Sequence, residues 1–384
     1  MSKLYLHKNL QFVFGVTLMA ILGVSSIIPA LPDIMHGLHM TPATIGMVVA
    51  TFTLPGVLFS PLVGILADRT GRKKILVPSL FLFGIAGFSC FFARDIQTLL
   101  ILRFVQGTGA APLGVLYGTL IGDLYSGRER STAMGYNASV LALGTAIFPA
   151  IGGGLAMLGW NWPFLLPLLA IPLGLAIMNG MHTPEPRNNG GFGAYMRETL
   201  RQMVTKRALV LFATTFLTFV ILYGPIVTYL PLFLKQRFHS SPATIGSVFL
   251  ISSFATALAA FRLGRLSETL GNKTLLASGA FFYALCMLGT PHMPGFWLTI
   301  LPVSCFGIAQ GLNIPTVMTM LTSLAPMEQR GAFMAANGMI LRLSQTAAPV
   351  IMGGIYAWKG MEAVFIAGLL CAATIFLLAI VGVE

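Results

Sequence analysis

Pro42-Ala43-Thr44-Ile45-Gly46 returns, residue for residue, as Pro242-Ala243-Thr244-Ile245-Gly246. The same offset of 200 residues carries Gly64, Asp68, Gly71 and Lys73 onto Gly264, Glu268, Gly271 and Lys273, and Arg130, Met134, Asn137 and Pro149 onto Arg330, Met334, Asn337 and Pro349. Chance does not keep register over that distance, so the chain is one half-unit written twice. In an apolar chain, a long parallel duplication is the sequence sign of two membrane halves around a central pathway.

Composition agrees. Of 384 residues, 56% are hydrophobic and 9% charged, against roughly 25% charged in a soluble domain. Apolar stretches of about 20 residues, each long enough to cross roughly 30 Å of hydrocarbon, fall at 10–32, 43–66, 74–93, 98–120, 133–157, 162–181, 208–234, 243–266, 274–291, 296–320, 331–357 and 362–383. The reading is an all-α integral membrane protein with twelve transmembrane helices: a six-helix bundle over 1–181, a cytoplasmic linker over 182–207 and a second six-helix bundle over 208–384. The runs are continuous rather than alternating, which argues against a transmembrane barrel. The first stretch is too long for a removable signal and reads as a mature helix.

The net charge of +12 raises the question of nucleic acid, and the placement of the charges answers it. Of 23 Lys and Arg, four (Arg94, Lys235, Arg237, Lys359) fall in outer loops and two (Arg103, Arg342) deep inside spans; the other 17 fall at the N-terminus, in loops on its side or at the span ends that border those loops. That is the positive-inside pattern with both termini cytoplasmic, so basicity sets topology and no nucleic-acid partner is expected. Trp160, Trp162, Trp297 and Trp358 all lie at the outer ends of spans, where an amphipathic ring is best solvated. Cys90, Cys286, Cys305 and Cys371 stand singly in apolar spans, with no CxxC pair and no neighbouring His. Neither a disulfide framework nor a metal site nor a cofactor is expected. A phosphate loop and a nucleophile elbow are also missing from the sequence, so nothing supports an enzyme or an ATP-driven pump.

Four stretches carry chemistry. Gly64-Ile-Leu-Ala-Asp68-Arg69-Thr-Gly71-Arg72-Lys73-Lys74 follows the second span. Gly64 permits close helix approach, Gly71 a tight turn, and Asp68 can reach an opposite charge or a helix N-terminus; Lys73 and Lys74 read equally as a solvated basic loop that fixes topology. Leu102-Arg103-Phe-Val-Gln106-Gly107-Thr-Gly109-Ala110 puts Arg103 about five residues inside a span, with Gln106, Gly107 and Ala110 on its face. Ile28-Pro29-Ala30-Leu31-Pro32-Asp33 ends the first span with an acid. On the fifth span Gly135, Gly144, Pro149, Gly152 and Gly153 supply small packing residues around a kink.

Together with the copy at 264–273, the first stretch resembles the signature loop between helices 2 and 3 of the major facilitator superfamily, and the other three resemble motifs of its twelve-helix drug/proton antiporters. The resemblance covers essentially the whole chain. It implies a latch stabilising the outward-facing state, built from Asp68, Arg69, Arg72 and the acid at the end of helix 4, Asp123. One residue departs from the antiporter pattern: Phe148 stands before Pro149 where the family has Gly, which weakens the inference of export.

Of eleven Asp and Glu, Asp33 alone has a good claim to face the pathway. Burial favours a neutral carboxyl and a nearby guanidinium an ionised one, so a carboxyl that exchanges the two environments binds and releases a proton. Asp33 is therefore the candidate proton carrier, with Arg103 its expected neighbour and modulator; the bland alternatives are that Asp33 caps an outer loop and that Arg103 snorkels. In the second half, Gly338, Arg342, Gln345 and Pro349 recur on one helical face, and Arg342 sits about eleven residues into its span. A charge at that depth is a functional candidate by default. Gln310, Asn313, Tyr223 and Asn337 are further polar candidates for a substrate site, each with helix packing as the alternative.

The expected function is a monomeric, proton-coupled secondary transporter of a bacterial cytoplasmic membrane, whose partners are a small molecule, protons and lipid. It would export an amphipathic solute by alternating access. Two alternatives stand beside this: carriage of an endogenous anionic or zwitterionic metabolite (a metal chelator, sugar or lipid precursor), inward included, and a non-transporting membrane sensor on a transporter scaffold.

Overall fold

A computed structural model describes residues 4–181, 205–324 and 330–382. Among these, nine helices are long and apolar enough to cross a membrane. Two of the nine, Pro242–His292 and Arg330–Gly382, are each a pair of helices joined at a glycine with non-helical angles, Gly271 (φ 76°, ψ 157°) and Gly360 (φ 75°, ψ −164°). Met47–Thr70 completes a set of twelve. These are α1 (Lys8–Gly37), α2 (Met47–Thr70), α3 (Arg72–Phe92), α4 (Ile96–Leu124), α5 (Gly127–Ala156), α6 (Trp162–Gly180) and α7 (Lys206–Phe238), then α8 (242–271), α9 (272–292), α10 (Phe296–Leu324), α11 (330–360) and α12 (361–382). The linker expected over 182–207 lies outside the described residues as far as 204.

Local chemistry explains the irregular points. Gly71 enters α3 at φ 102°, and Gly271 repeats that left-handed angle 200 residues on; side chains disfavour this region, and at these turns neither glycine has anything within 4 Å of a would-be Cβ. Pro29 and Pro32 lack the N–H that would continue the ladder, so α1 tightens to a 3₁₀ turn at Ile28–Ala30 and resumes as Leu31–Gly37, five residues past the expected end at 32. In α7 the stretch Leu222–Tyr229, with Pro225 inside it, is a π-helix. α4 begins under the Asp95 side chain, which accepts from the Thr98 N–H (2.8 Å).

The helices make two compact units, one built from α1–α6 with Ser241–Gly246, the other from α7–α12 with Thr41–Gly46. The duplicated pentapeptides are thus the segments that belong with the opposite half of the sequence. In the second unit a Cβ on Gly46 would lie 2.7 Å from the Pro349 carbonyl oxygen; in the first, a Cβ on Gly246 would lie 2.5 Å from that of Pro149.

Both units repeat the same internal ties. A Cβ on Gly107 of α4 would stand 2.1 Å from the Phe52 carbonyl oxygen of α2, and one on Gly307 of α10 would stand 2.2 Å from the Ser252 carbonyl oxygen of α8. Only glycine lets these backbones cross so closely. The Thr17 hydroxyl of α1 meets Asn137 Oδ1 of α5 at 2.7 Å, and the Thr215 hydroxyl of α7 meets Asn337 Oδ1 of α11 at 2.7 Å. Large apolar side chains left exposed, such as Phe261, Leu301 and Leu370, suit a surface solvated by hydrocarbon.

Candidate functional site

In the first unit, Arg103 is wholly buried. Its Nε donates to the Val48 carbonyl of α2 (3.2 Å), and its Nη1 donates to the Gly23 carbonyl of α1 (2.9 Å) and to Gln106 Oε1 one turn along α4 (2.8 Å). The guanidinium lies over the Phe52 ring, 4.1 Å from its centroid, with Phe164 of α6 at 5.9 Å. A buried cation is thereby held by carbonyl and amide dipoles and an aromatic face, with no carboxylate among its hydrogen-bond partners in the described residues. Among the described residues, Arg103 Nη2 and Gln106 Nε2 are buried without a hydrogen-bond partner. Arg103 ties three helices together.

Asp33 is half-buried on Leu31–Gly37, beyond the 3₁₀ break. Asp33 is not among the hydrogen-bond partners described for Arg103. Along the helix Asp33 follows Gly23, which the guanidinium grips, by ten residues, or about 15 Å of helical rise.

The signature loop is compact. Arg72 Nε and Asp123 Oδ2 form an ion pair of 2.9 Å between the start of α3 and the end of α4, and the Lys73 ammonium donates to the Met181 carbonyl (3.0 Å). Arg69 is exposed at the end of α2. The surroundings of Gly64 and the side chain of Asp68 lie outside the described residues. On α5, Gly152 and Gly153 sit against backbone, with would-be Cβ positions 1.8 Å from the Ser26 carbonyl oxygen and 2.5 Å from that of Pro242; Gly144 faces Leu18 at 2.9 Å and Gly135 faces open space. Pro149 is buried next to Phe148.

In the second unit, the six polar candidates divide. Asn337, Asn313 and Gln310 are buried among the helices. Asn337 receives the Thr215 hydroxyl, and Asn313 Oδ1 receives that of Thr218 of α7 at 3.3 Å. Thr215, Thr218, Phe219, Asn313, Met318 and Asn337 line a cavity of about 10 Å³, roughly the room of one water. Tyr223, Arg342 and Gln345 are instead half-buried. Gln345 Nε2 donates to the Tyr223 hydroxyl at 2.8 Å, and Arg342 stands one turn before Gln345 on α11. Phe219 stacks on the Tyr223 ring (6.4 Å between centroids, 26°) and so joins the polar cavity to this group.

Sequence reasoning missed Thr215, Thr218 and Phe52. The threonines lie on a face of α7 where every fourth position is apolar or hydroxylated, and Phe52 is one of 28 phenylalanines; neither stands out until the helices are placed.

Two six-helix units that repeat the same internal ties, the first with a buried arginine, have the makings of a secondary transporter. The chain belongs to the Major Facilitator Superfamily, whose family model matches residues 13–240 and 230–383, and it is a multi-pass membrane protein. It is 28% identical over 346 residues to multidrug resistance protein 2 of Bacillus subtilis (strain 168), covering 88% of this chain and 85% of the relative. It is 22% identical over 359 residues to the quinolone resistance protein NorA of Staphylococcus aureus (strain Mu50 / ATCC 700699), covering 91% and 90%. Among solved structures, a bacterial homologue of the human lysosomal transporter Spinster, inward-facing and unoccupied, aligns with a TM-score of 0.80 at 15% identity over 100% of this chain and 98% of that one. A POT family transporter in complex with 5-aminolevulinic acid aligns with a TM-score of 0.80 at 14% identity, covering 98% and 96%.

Proposed function

We propose that this transporter exports small amphipathic compounds in exchange for protons, its two six-helix units moving in alternating access as a monomer in the bacterial cytoplasmic membrane. The observation that carries the export reading is the near full-length similarity to proteins named for multidrug and quinolone resistance. Proton coupling is assigned to Asp33, the acid that follows the 3₁₀ break in α1 and is half-buried there. A carboxyl at such a joint changes its solvation when α1 tilts, and so exchanges its proton. Arg103 acts on Asp33 through α1: its grip on the Gly23 carbonyl fixes how the helix below the break can move. The ion pair of Arg72 with Asp123, with Asp68 and Arg69 beside it in the chain, serves as a latch, and the glycines of α5 around Pro149 as its hinge. Arg342, Gln345 and Tyr223 receive the solute, with Gln310, Asn313 and Asn337 behind them.

The test is pH-gradient-driven uptake of fluorescent compounds into proteoliposomes. Asp33→Asn is expected to lose gradient-driven accumulation while retaining solute exchange without a gradient. Full gradient-driven accumulation by Asp33→Asn removes Asp33 from the mechanism. A second reading, carriage of an endogenous anionic or zwitterionic metabolite, is favoured by Arg342 and by Phe148, whose ring lies 3.3 Å from a would-be Cβ on Gly144 and fills space that the antiporter pattern leaves open.

A further inference from the structure

The two units share one tie and differ beside it. Thr17 meets Asn137 in the first unit and Thr215 meets Asn337 in the second, each at 2.7 Å. Three residues on from each threonine stand Ala20 and Thr218, and Leu113 stands 200 residues before Asn313. An apolar pair in one copy is therefore a hydroxyl and an amide in the other. That hydroxyl and amide meet across α7 and α10, where the Thr218 hydroxyl donates to Asn313 Oδ1 at 3.3 Å.

The contact satisfies only half of the amide. Asn313 is fully buried, and its Nδ2 has no hydrogen-bond partner among the described residues. An amide that gives up water without gaining an acceptor is destabilising, and buried groups of this kind are ordinarily met by ordered water. Room for one lies beside it. Asn313 lines the cavity of about 10 Å³ together with Thr215, Thr218 and Asn337, and Phe219 and Met318 bound the same space. A volume of about one probe sphere with several polar partners holds a water, whereas apolar cavities stay dry. The hydroxyls of Thr215 and Thr218 already donate, to Asn337 Oδ1 and Asn313 Oδ1, and each oxygen keeps lone pairs with which to accept. A guest in this pocket must accept from the Asn313 amide and donate to a hydroxyl oxygen. Water does both. A bare cation would face amide hydrogens, and the described residues that line the pocket bring no carboxylate to offset its charge.

We propose that this pocket is the binding site of a single ordered water, which accepts from Asn313 Nδ2 and donates to the threonine hydroxyls of α7, and so joins α7 to α10 beside α11. The site lies one turn before α7 widens at Leu222. The length of α7 that is tied to its neighbours thus ends where the π-helical stretch begins.

The test is a density map of the purified protein in which ordered waters are visible, recorded for wild type and for Asn313→Leu/Thr218→Ala, which writes the first unit's residues into the second. Wild type should show one peak within hydrogen-bond distance of Asn313 Nδ2 and of a threonine hydroxyl, and the double variant should lose it. Thermal unfolding in detergent gives a second readout. Thr218→Ala alone removes a partner of the water and the donor to Asn313 Oδ1, and should lower the midpoint by about 2–4 °C. Adding Asn313→Leu should recover most of that loss, because no buried amide is left to satisfy. If the double variant does not fold, Asn313→Leu alone is mapped in its place, with the same loss of the peak expected. An empty pocket in wild type, a peak that survives in the variant, or a double variant no more stable than Thr218→Ala overturns the proposal. So does a peak that comes and goes with the sodium or potassium in the buffer, which would make the pocket a cation site.

Discussion

Replacing Gly107 by alanine puts a methyl group 2.1 Å from the Phe52 carbonyl oxygen and 2.9 Å from its carbonyl carbon. Both are backbone atoms and cannot rotate away, so α2 and α4 must separate. Bringing the shorter contact from 2.1 Å to the 3.0 Å below which Cβ contacts are essentially never seen requires a shift of about 0.9 Å in a close-packed interior. The same shift stretches the Arg103 hydrogen bond to Val48 (3.2 Å) and its stacking on Phe52 (4.1 Å). Overpacking of this kind costs about 1–3 kcal/mol, which for a unit of this size lowers the unfolding midpoint by about 2–12 °C. Gly307→Ala meets the Ser252 carbonyl oxygen at 2.2 Å and should cost a similar amount. Gly118→Ala, on the same helix as Gly107 but with nothing within 4 Å, should be neutral or slightly stabilising. Thermal unfolding of the three purified variants in detergent is the assay. A Gly107→Ala variant as stable as wild type, or a Gly118→Ala variant equally damaged, would refute the close crossing of α2 with α4.

Other consequences follow from single contacts. Asn137→Ala and Asn337→Ala each remove a buried partner of a threonine and should each cost about 1–3 kcal/mol in the same unfolding assay; a marked inequality would mean that the two ties are not equivalent. A double-mutant cycle on Arg72 and Asp123, whose side chains are 16% and 35% exposed, should give a coupling of about 0.2–1 kcal/mol in thermal unfolding. The backbone N–H of Thr98, with its hydroxyl, holds the Asp95 carboxyl below the usual carboxylate range. That stabilisation is present above the carboxyl's unfolded value and is lost as pH falls through the lower folded one, so Asp95→Ala should flatten the acid limb of the stability profile below about pH 4.

Much of the fold was legible because membrane helices announce themselves by length and composition, and because the duplication fixes two halves. What stayed hidden depends on side chains meeting across helices. Asn137 and Asn337 fall in register in the sequence, but their threonine partners, Thr17 and Thr215, are 198 residues apart rather than 200, so the repeat does not reveal the pair. The expected neighbourhood of Asp33 and Arg103 came from both being charges in one half. The structure gives Arg103 the carbonyls of Gly23 and Val48 instead, acceptors that every residue carries and no sequence pattern marks. Tyr223 was legible as polar in an apolar span. Its engagement with Gln345, from a π-turn that Pro225 only hints at, was not.

The central claim is that solute binding and proton release are linked through Asp33. It is tested most directly by measuring protons released into weakly buffered detergent solution when compounds of cationic, neutral and anionic type are added to the purified protein. Release by wild type on adding a bound compound, lost in Asp33→Asn with binding retained, is the result this account predicts. Binding without release in wild type, or undiminished release in Asp33→Asn, would contradict it.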